Sequence, residues 1–241
     1  MPTYQTTGIV IGRTNFGEAD RIIRFLTADH GKVSAVAKGV RRIKSRTAGH
    51  LELFGEASLT LATGRNLDVV TAARLSWYPH QLIAAYDRIG LAYAMAAAVD
   101  RLTEPGHPQP KLYALLSEAL HAVDGGATGA LVELWFKLRF LEVQGYRPDL
   151  TACVICGRHD QDAQYFFDAA RGGIVCQNDS SSTSRPLSQP AIKLWRLLSD
   201  YPYVTVAQIA DGPALATATL LSCDEFYEHH LGRSFKPGLV T

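Results

Sequence analysis

The feature that most constrains this chain is Cys153-Val154-Ile155-Cys156-Gly157, followed nineteen residues later by Cys176 and then by Asp179. A C-x2-C pair, a spacer of that length and a second potential pair with x2 spacing form the pattern of a tetrahedral zinc ribbon. Each pair sits on one tight knuckle, so all four donors can reach a single ion. Asp179 stands where a fourth cysteine is usual. A carboxylate oxygen binds zinc at about 2.0–2.2 Å, so the exchange is chemically admissible. Oxygen should hold the ion less strongly than a thiolate. His159 and Cys223 compete for the fourth position. The plainer alternative is three buried cysteines without metal. No H-E-x-x-H motif accompanies the cluster, so zinc here is expected to serve structure rather than chemistry.

At 241 residues the chain can bury a sizeable core and form one to three domains. It has no apolar run of membrane-spanning length. Its start, Met1-Pro2-Thr3-Tyr4-Gln5, lacks the basic and apolar regions of a signal peptide. Four cysteines, three of them in a metal-like cluster, fit a reducing cytoplasm better than a disulfide framework. The net charge of +1 conceals an asymmetry. Residues 1–80 carry eleven Lys/Arg against six Asp/Glu, and residues 81–241 carry thirteen against seventeen. A basic front on an acidic remainder points to a nucleic-acid-binding first domain.

That front has a β rhythm. Apolar, β-branched runs fall at 7–11, 22–26, 33–37, 57–62 and 67–75, separated by turn signals such as Asn15-Phe16-Gly17 and Asp29-His30-Gly31. The long gap after the third run leaves room for a short helix at 44–53. Five strands with a helix after the third is the layout of an OB-fold, and the gap favours it over an SH3-like barrel. Lys32, Lys38, Arg41, Arg42, Lys44 and Arg46 fall where such a barrel could use them, and no acid occurs between Lys32 and Leu51. Cations on one barrel edge can neutralise successive phosphates. The ordinary alternative is a solvated loop. Candidate base-stacking aromatics are sparse (Tyr4, Phe16, Phe25, Phe54, Trp77, Tyr78), and several suit a core better. Backbone-dominated, sequence-tolerant binding is therefore expected.

From Pro79 the period becomes helical. Leu82, Ile83, Tyr86, Ile89, Tyr93 and Ala97 mark a first helix that should stop before Glu104-Pro105-Gly106. Further helices are expected at 110–123 and 130–144, then at 189–199 and 213–230. A ribbon occupies 150–184, with strands at 165–167 and 172–175, and 180–184 reads as a mobile connector. His229-His230 reads as a surface pair. The later helices could pack back on the earlier ones. The expected fold is α+β and multidomain: an OB-fold β-barrel at 1–79, and a helical domain at 80–149 and 185–241 with an inserted zinc ribbon at 150–184.

Several motifs in this order resemble one family. Gly8-Ile9-Val10-Ile11 precedes Gly17-Glu18-Ala19-Asp20-Arg21, then His30-Gly31-Lys32-Val33 and Ala35-Val36-Ala37-Lys38-Gly39-Val40-Arg41. Gly145-Tyr146, Pro148-Asp149-Leu150 and Cys153-x2-Cys156-Gly157 follow, and Leu231-Gly232-Arg233-Ser234-Phe235-Lys236 stands near the end. Together they resemble the RecO family of bacterial recombination-repair mediators, which work in one pathway with RecF and RecR. The resemblance spans nearly the whole chain. It implies the OB-fold, helical domain and zinc ribbon in that order. It further implies binding of single- and double-stranded DNA and annealing of complementary strands. The implied partners are RecR and the C-terminal tail of single-stranded DNA-binding protein, with RecA loading as the outcome and the nucleoid-associated cytoplasm as the place. No membrane and no small-molecule substrate are implied. The departure at Asp179 puts metal occupancy in question and leaves the fold intact.

No catalytic residues are expected. The glycines assemble no P-loop, no G-x-S-x-G occurs, and the carboxylates are dispersed. A metal-dependent nucleic-acid enzyme and an interaction adaptor without DNA binding are the alternatives. An acidic protein tail would need an apolar notch beside cations, and Trp135, Lys137, Leu138 and Arg139 on one helix offer both residue types.

Overall fold

The computed structural model describes residues 2–160 and 164–236. The last residues of the expected 185–241 segment and three residues within the ribbon segment lie outside the described residues. Two compact units are present among the described residues, one holding residues 2–126 with Lys236 and the other Ala127–Phe235.

The first unit is built on five strands: β1 (Thr3–Phe16), β2 (Asp20–Thr27), β3 (Gly31–Ala37), β4 (Glu56–Ala62) and β5 (Asp68–Trp77). They close a barrel in the order β1-β2-β3-β5-β4. β1 serves two neighbours, β4 through its first half and β2 through its second, with a register shift between Val10 and Gly12. A parallel pairing of Ala35 and Val36 with Asp68 and Val69 closes the ring. Ala57, Leu59 and Leu61 are buried and Ser58 exposed, the period-two pattern of a strand with one face inward. This barrel is consistent with the expected OB-fold. The expected helix in the β3–β4 gap is only a three-residue 3-10 turn, Ala48–His50. Phe54, buried in the same gap, holds a left-handed φ of 66°. Its N–H donates to the Val10 carbonyl at 2.9 Å and its ring meets Tyr93 edge-on, contacts that offset the steric cost of that backbone.

Helices α1 (His80–Ala84), α2 (Tyr86–Leu102) and α3 (Pro110–Asp124) cluster with the barrel. The first predicted helix is thus two, because Ala85 adopts an extended conformation. Tyr86, expected on the apolar stripe, begins the second piece and is exposed. Thr103, Pro105 and Gly106 end α2, and the following loop crosses the β2–β3 turn. A Cβ on Gly31 would lie 2.0 Å from the His107 carbonyl oxygen, and Gly31 has a φ of 65°. Both the space and the conformation require glycine there.

The second unit comprises α4 (Ala130–Val143), the strands β6 (Tyr165–Asp168), β7 (Gly173–Cys176) and β8 (Arg185–Leu187), and the helices α5 (Gln189–Asp200), α6 (Tyr203–Val206) and α7 (Gly212–Leu231). α4, α5 and α7 pack on one another around Trp135, Phe140, Trp195, Phe226 and Tyr227, all buried. The helices therefore do not form one domain interrupted by the ribbon segment. α1–α3 go with the barrel, and α4 goes with the helices that follow the sheet. The strands pair antiparallel in the order β7-β6-β8. β8 and α6 carry no clear sequence signal, being three and four residues long. The connector at 180–184 is held: Ser181 and Ser184 donate to the buried Asp168 carboxylate, at 3.3 and 2.8 Å. His230 is not a surface residue like His229. Its ring lies 4.4 Å from that of Phe226 and 5.0 Å from that of Tyr146.

Candidate nucleic-acid interface and metal centre

The basic run occupies the loop between β3 and β4. Gly39 has a φ of 63°, so the chain reverses directly after β3. The loop is fastened to the β1–β2 turn. The Arg41 N–H donates to the Ala19 carbonyl at 2.9 Å, and the Gly39 N–H donates to the Asp20 carboxylate at 2.7 Å. Lys38, Arg41, Arg42, Lys44 and Arg46 are exposed. None forms an ion pair among the described residues, and only Arg41 uses its guanidinium internally, on the Gly17 carbonyl. Five cations without carboxylate partners leave a positive field at one end of the barrel.

Lys32 differs from the other five. It is half-buried, its Nζ donates to the Asp100 carbonyl at 2.5 Å, and the Asp100 carboxylate lies 3.6 Å away. Arg24 holds the other side of Asp100 at 2.9 Å. Lys32 thus anchors β3 to α2 and stands apart from the open group. Asp20 belongs to a motif visible in the sequence, but its role in positioning the loop depends on β2 lying beside the β3 exit.

The four residues of the predicted metal pattern converge. One ligand atom from each of Cys153, Cys156, Cys176 and Asp179 lies within 4.8 Å of all the others. The Cys156 and Cys176 sulfurs are 3.8 Å apart, and Asp179 Oδ2 lies 3.2 Å from Cys153 Sγ and 3.1 Å from Cys176 Sγ. Zinc–sulfur bonds of about 2.3 Å in a tetrahedron place sulfurs about 3.8 Å apart, so the donor set fits that ion. Backbone geometry builds the cluster. The Val154 N–H donates to the Ile174 carbonyl at 2.9 Å, and Asp149 exchanges bonds with Gly172 and Ile174, stitching the first knuckle to β7. A Cβ on Gly173 would sit 2.3 Å from the Asp149 carbonyl oxygen, so only glycine permits that approach. Burial raises the Cys153 thiol, and N–H groups of Cys156, Cys176 and Ile155 outweigh it, leaving the pKa below the ordinary thiol value. Arg171 donates to the Asp179 carbonyl at 2.8 Å and steadies the second knuckle.

Neither competing ligand joins the cluster. His159 Nδ1 lies 2.6 Å from the Thr151 carbonyl oxygen. Cys223 is buried among the helices, and that burial pushes its thiol well above the ordinary range.

The tail notch expected on α4 is not formed. Trp135 and Leu138 are fully buried, and Trp135 Nε1 donates to the Tyr201 carbonyl at 3.1 Å. Lys137 is also fully buried, paired with Glu133 and Asp224, with its ammonium 4.6 Å from the Phe235 ring centre. Arg139 bonds the Ser199 carbonyl. A helix apolar on nearly every face is a central helix, and Lys137 and Arg139 on α4 are tied to Asp224 of α7 and Ser199 of α5.

Residues 1–77 match the family model described as recombination protein O N terminal, and residues 84–237 match the one described as recombination protein O C terminal. Two similar proteins are the DNA repair protein RecO of Bifidobacterium adolescentis and that of Roseiflexus sp. The first is 35% identical over 244 residues, covering 98% of each chain. The second is 36% identical over 233 residues, covering 95% of this chain and 82% of its own. That of Dehalococcoides mccartyi is 29% identical over 198 residues.

Proposed function

The chain belongs to the RecO family of DNA repair and recombination proteins, and from that premise we propose that it is a DNA-binding mediator that acts by holding strands. The observation that carries this reading is the group of five exposed cations, Lys38, Arg41, Arg42, Lys44 and Arg46, without ion-pair partners on a fastened loop of the barrel. Such a group releases counterions from phosphates and tolerates any base sequence. It binds both single- and double-stranded DNA and lowers the repulsion between complementary strands, which supports annealing. Lys32, committed to Asp100, serves the fold.

The mediator role further needs partners. We assign RecR, and the acidic C-terminal tail of single-stranded DNA-binding protein, with RecA loading as the outcome. With Trp135 and Leu138 buried, the apolar-plus-cation combination lies elsewhere in the second unit. Leu197 on α5, Tyr201 in the turn after it and Val204 on α6 are exposed, and Arg139 and Arg147 reach the same segment through Ser199 and Asp200. In the metal centre, Cys153, Cys156, Cys176 and Asp179 would hold a structural zinc, which ties the two knuckles together.

A gel shift with labelled single strand, with and without magnesium, tests the reading. A shift without turnover is expected. Magnesium-dependent cleavage points instead to an enzyme, and absence of any shift points to an adaptor. Annealing of strands coated by single-stranded DNA-binding protein then separates a mediator from a simple binder.

A further inference from the structure

Ile43 is the most exposed large apolar side chain among the described residues, at 106% of its reference area. It lies between Arg42 and Lys44. The Ser45 N–H donates to the Arg42 carbonyl at 2.9 Å, so Ile43 and Lys44 are the two central residues of a tight turn. Such positions ordinarily go to Gly, Asn, Asp or Pro. A single exposed apolar side chain is common on protein surfaces and needs no explanation by itself. Three placements set this one apart. It sits at the apex of a turn, flanked by cations that have no ion-pair partner. The loop below it is fastened, through Gly39 and Arg41, to Ala19 and Asp20 of the β1–β2 turn. That same turn presents Phe16, half exposed, one residue before the Gly17 carbonyl that Arg41 grips.

We propose that Ile43 and Phe16 contact the bases of a single strand whose phosphates the surrounding cations hold. Phosphate contacts position a strand without touching its bases. An apolar side chain held beside those contacts has a flat, apolar base face within reach. Ile43 enters between neighbouring bases as a wedge, and Phe16 offers a ring for stacking. Every base has such a face, so the contact is sequence-tolerant. Binding through both groups prefers strands that carry bases over bare backbone of the same charge. The inference rests on the nucleic-acid reading of the basic loop.

The test compares the full chain bound to a labelled oligothymidylate and to an abasic strand of equal length, by fluorescence anisotropy over a salt series. The wild-type protein should favour the strand with bases by at least about fivefold, the lower end of what one base contact supplies. Ile43→Ser and Phe16→Ala should each reduce that preference while leaving abasic affinity and salt slope unchanged. Both side chains are on the surface, so the variants should fold; circular dichroism checks this. Ile43→Lys adds a charge, so it should raise abasic affinity and still reduce the preference. Equal binding of both strands by the wild type, with a steep salt slope, overturns the base contact and leaves the nucleic-acid reading standing. Variants that keep the full preference overturn it as well. Binding of neither strand overturns the parent reading itself.

Discussion

At the residue scale, charge alone does not tell a binding cation from a structural one. Lys32 and Lys38 stand six apart in one basic run, yet the first is anchored on Asp100 and the second is open to solvent. Lys32→Ala should therefore lower thermal stability and change DNA affinity little, whereas Arg41/Arg42/Lys44→Ala should do the reverse. Each lost single-strand phosphate contact removes about 0.7 from the slope of log K against log salt, so the triple variant should lose about two units in a salt titration. A variant that folds normally and keeps the wild-type slope would remove these residues from the interface. Lys137 is a third kind of cation. Its full burial between Glu133 and Asp224 makes truncation costly, and Lys137→Ala should destabilise the protein by about 3 kcal/mol in denaturant unfolding. In the metal centre, Asp179→Cys should tighten zinc because a fourth thiolate replaces an oxygen. Asp179→Ala should loosen zinc without abolishing it, and His159→Ala should leave it unchanged. Competition with a chromogenic chelator reads all three.

At the element scale, the three-stranded sheet packs Phe167 on Trp195 and Phe226, while the proposed zinc would tie its two knuckles together. Thiolate ligation couples metal binding to local folding. Chelation should therefore open the 150–187 segment first, seen as early amide exchange there, while the barrel strands stay protected. Acid attacks the same segment by a second route. Burial raises the Asp168 carboxyl, but hydrogen bonds from Ser184, the Arg171 N–H and Ser181 outweigh it and hold its pKa below the ordinary value. A depressed folded pKa contributes stability above the unfolded value of about 3.9, and that contribution is lost as pH falls through the lower folded value. Asp168→Asn should remove this part of the acid sensitivity, measured as a shallower loss of stability below pH 4. On α5 and α6, Leu197→Asp or Val204→Asp should weaken an acidic tail peptide in anisotropy and leave naked-DNA binding alone.

At the scale of the whole molecule, each unit has its own buried core, so metal removal should lower the unfolding transition of one unit and spare that of the other. Differential scanning calorimetry with and without chelator checks this. Much of the chain was legible in one dimension. Alternation of Ala57, Ser58, Leu59 and Leu61 marks a strand because side chains alternate faces every residue, and the x2 spacing of Cys153 and Cys156 marks a knuckle because the backbone can turn only so tightly. Such signals are local, and local geometry follows from adjacent residues. Other properties depend on partners far along the chain. Whether α1–α3 belong with the barrel or with α5 and α7, whether Trp135 lines a notch or a core, and whether Lys32 meets a phosphate or Asp100 sixty-eight residues away are decided by which faces meet. Sequence period fixes which side of a helix is apolar. Only the packing of one element on another determines what that side touches, because burial is a property of the assembled surfaces and not of the residue.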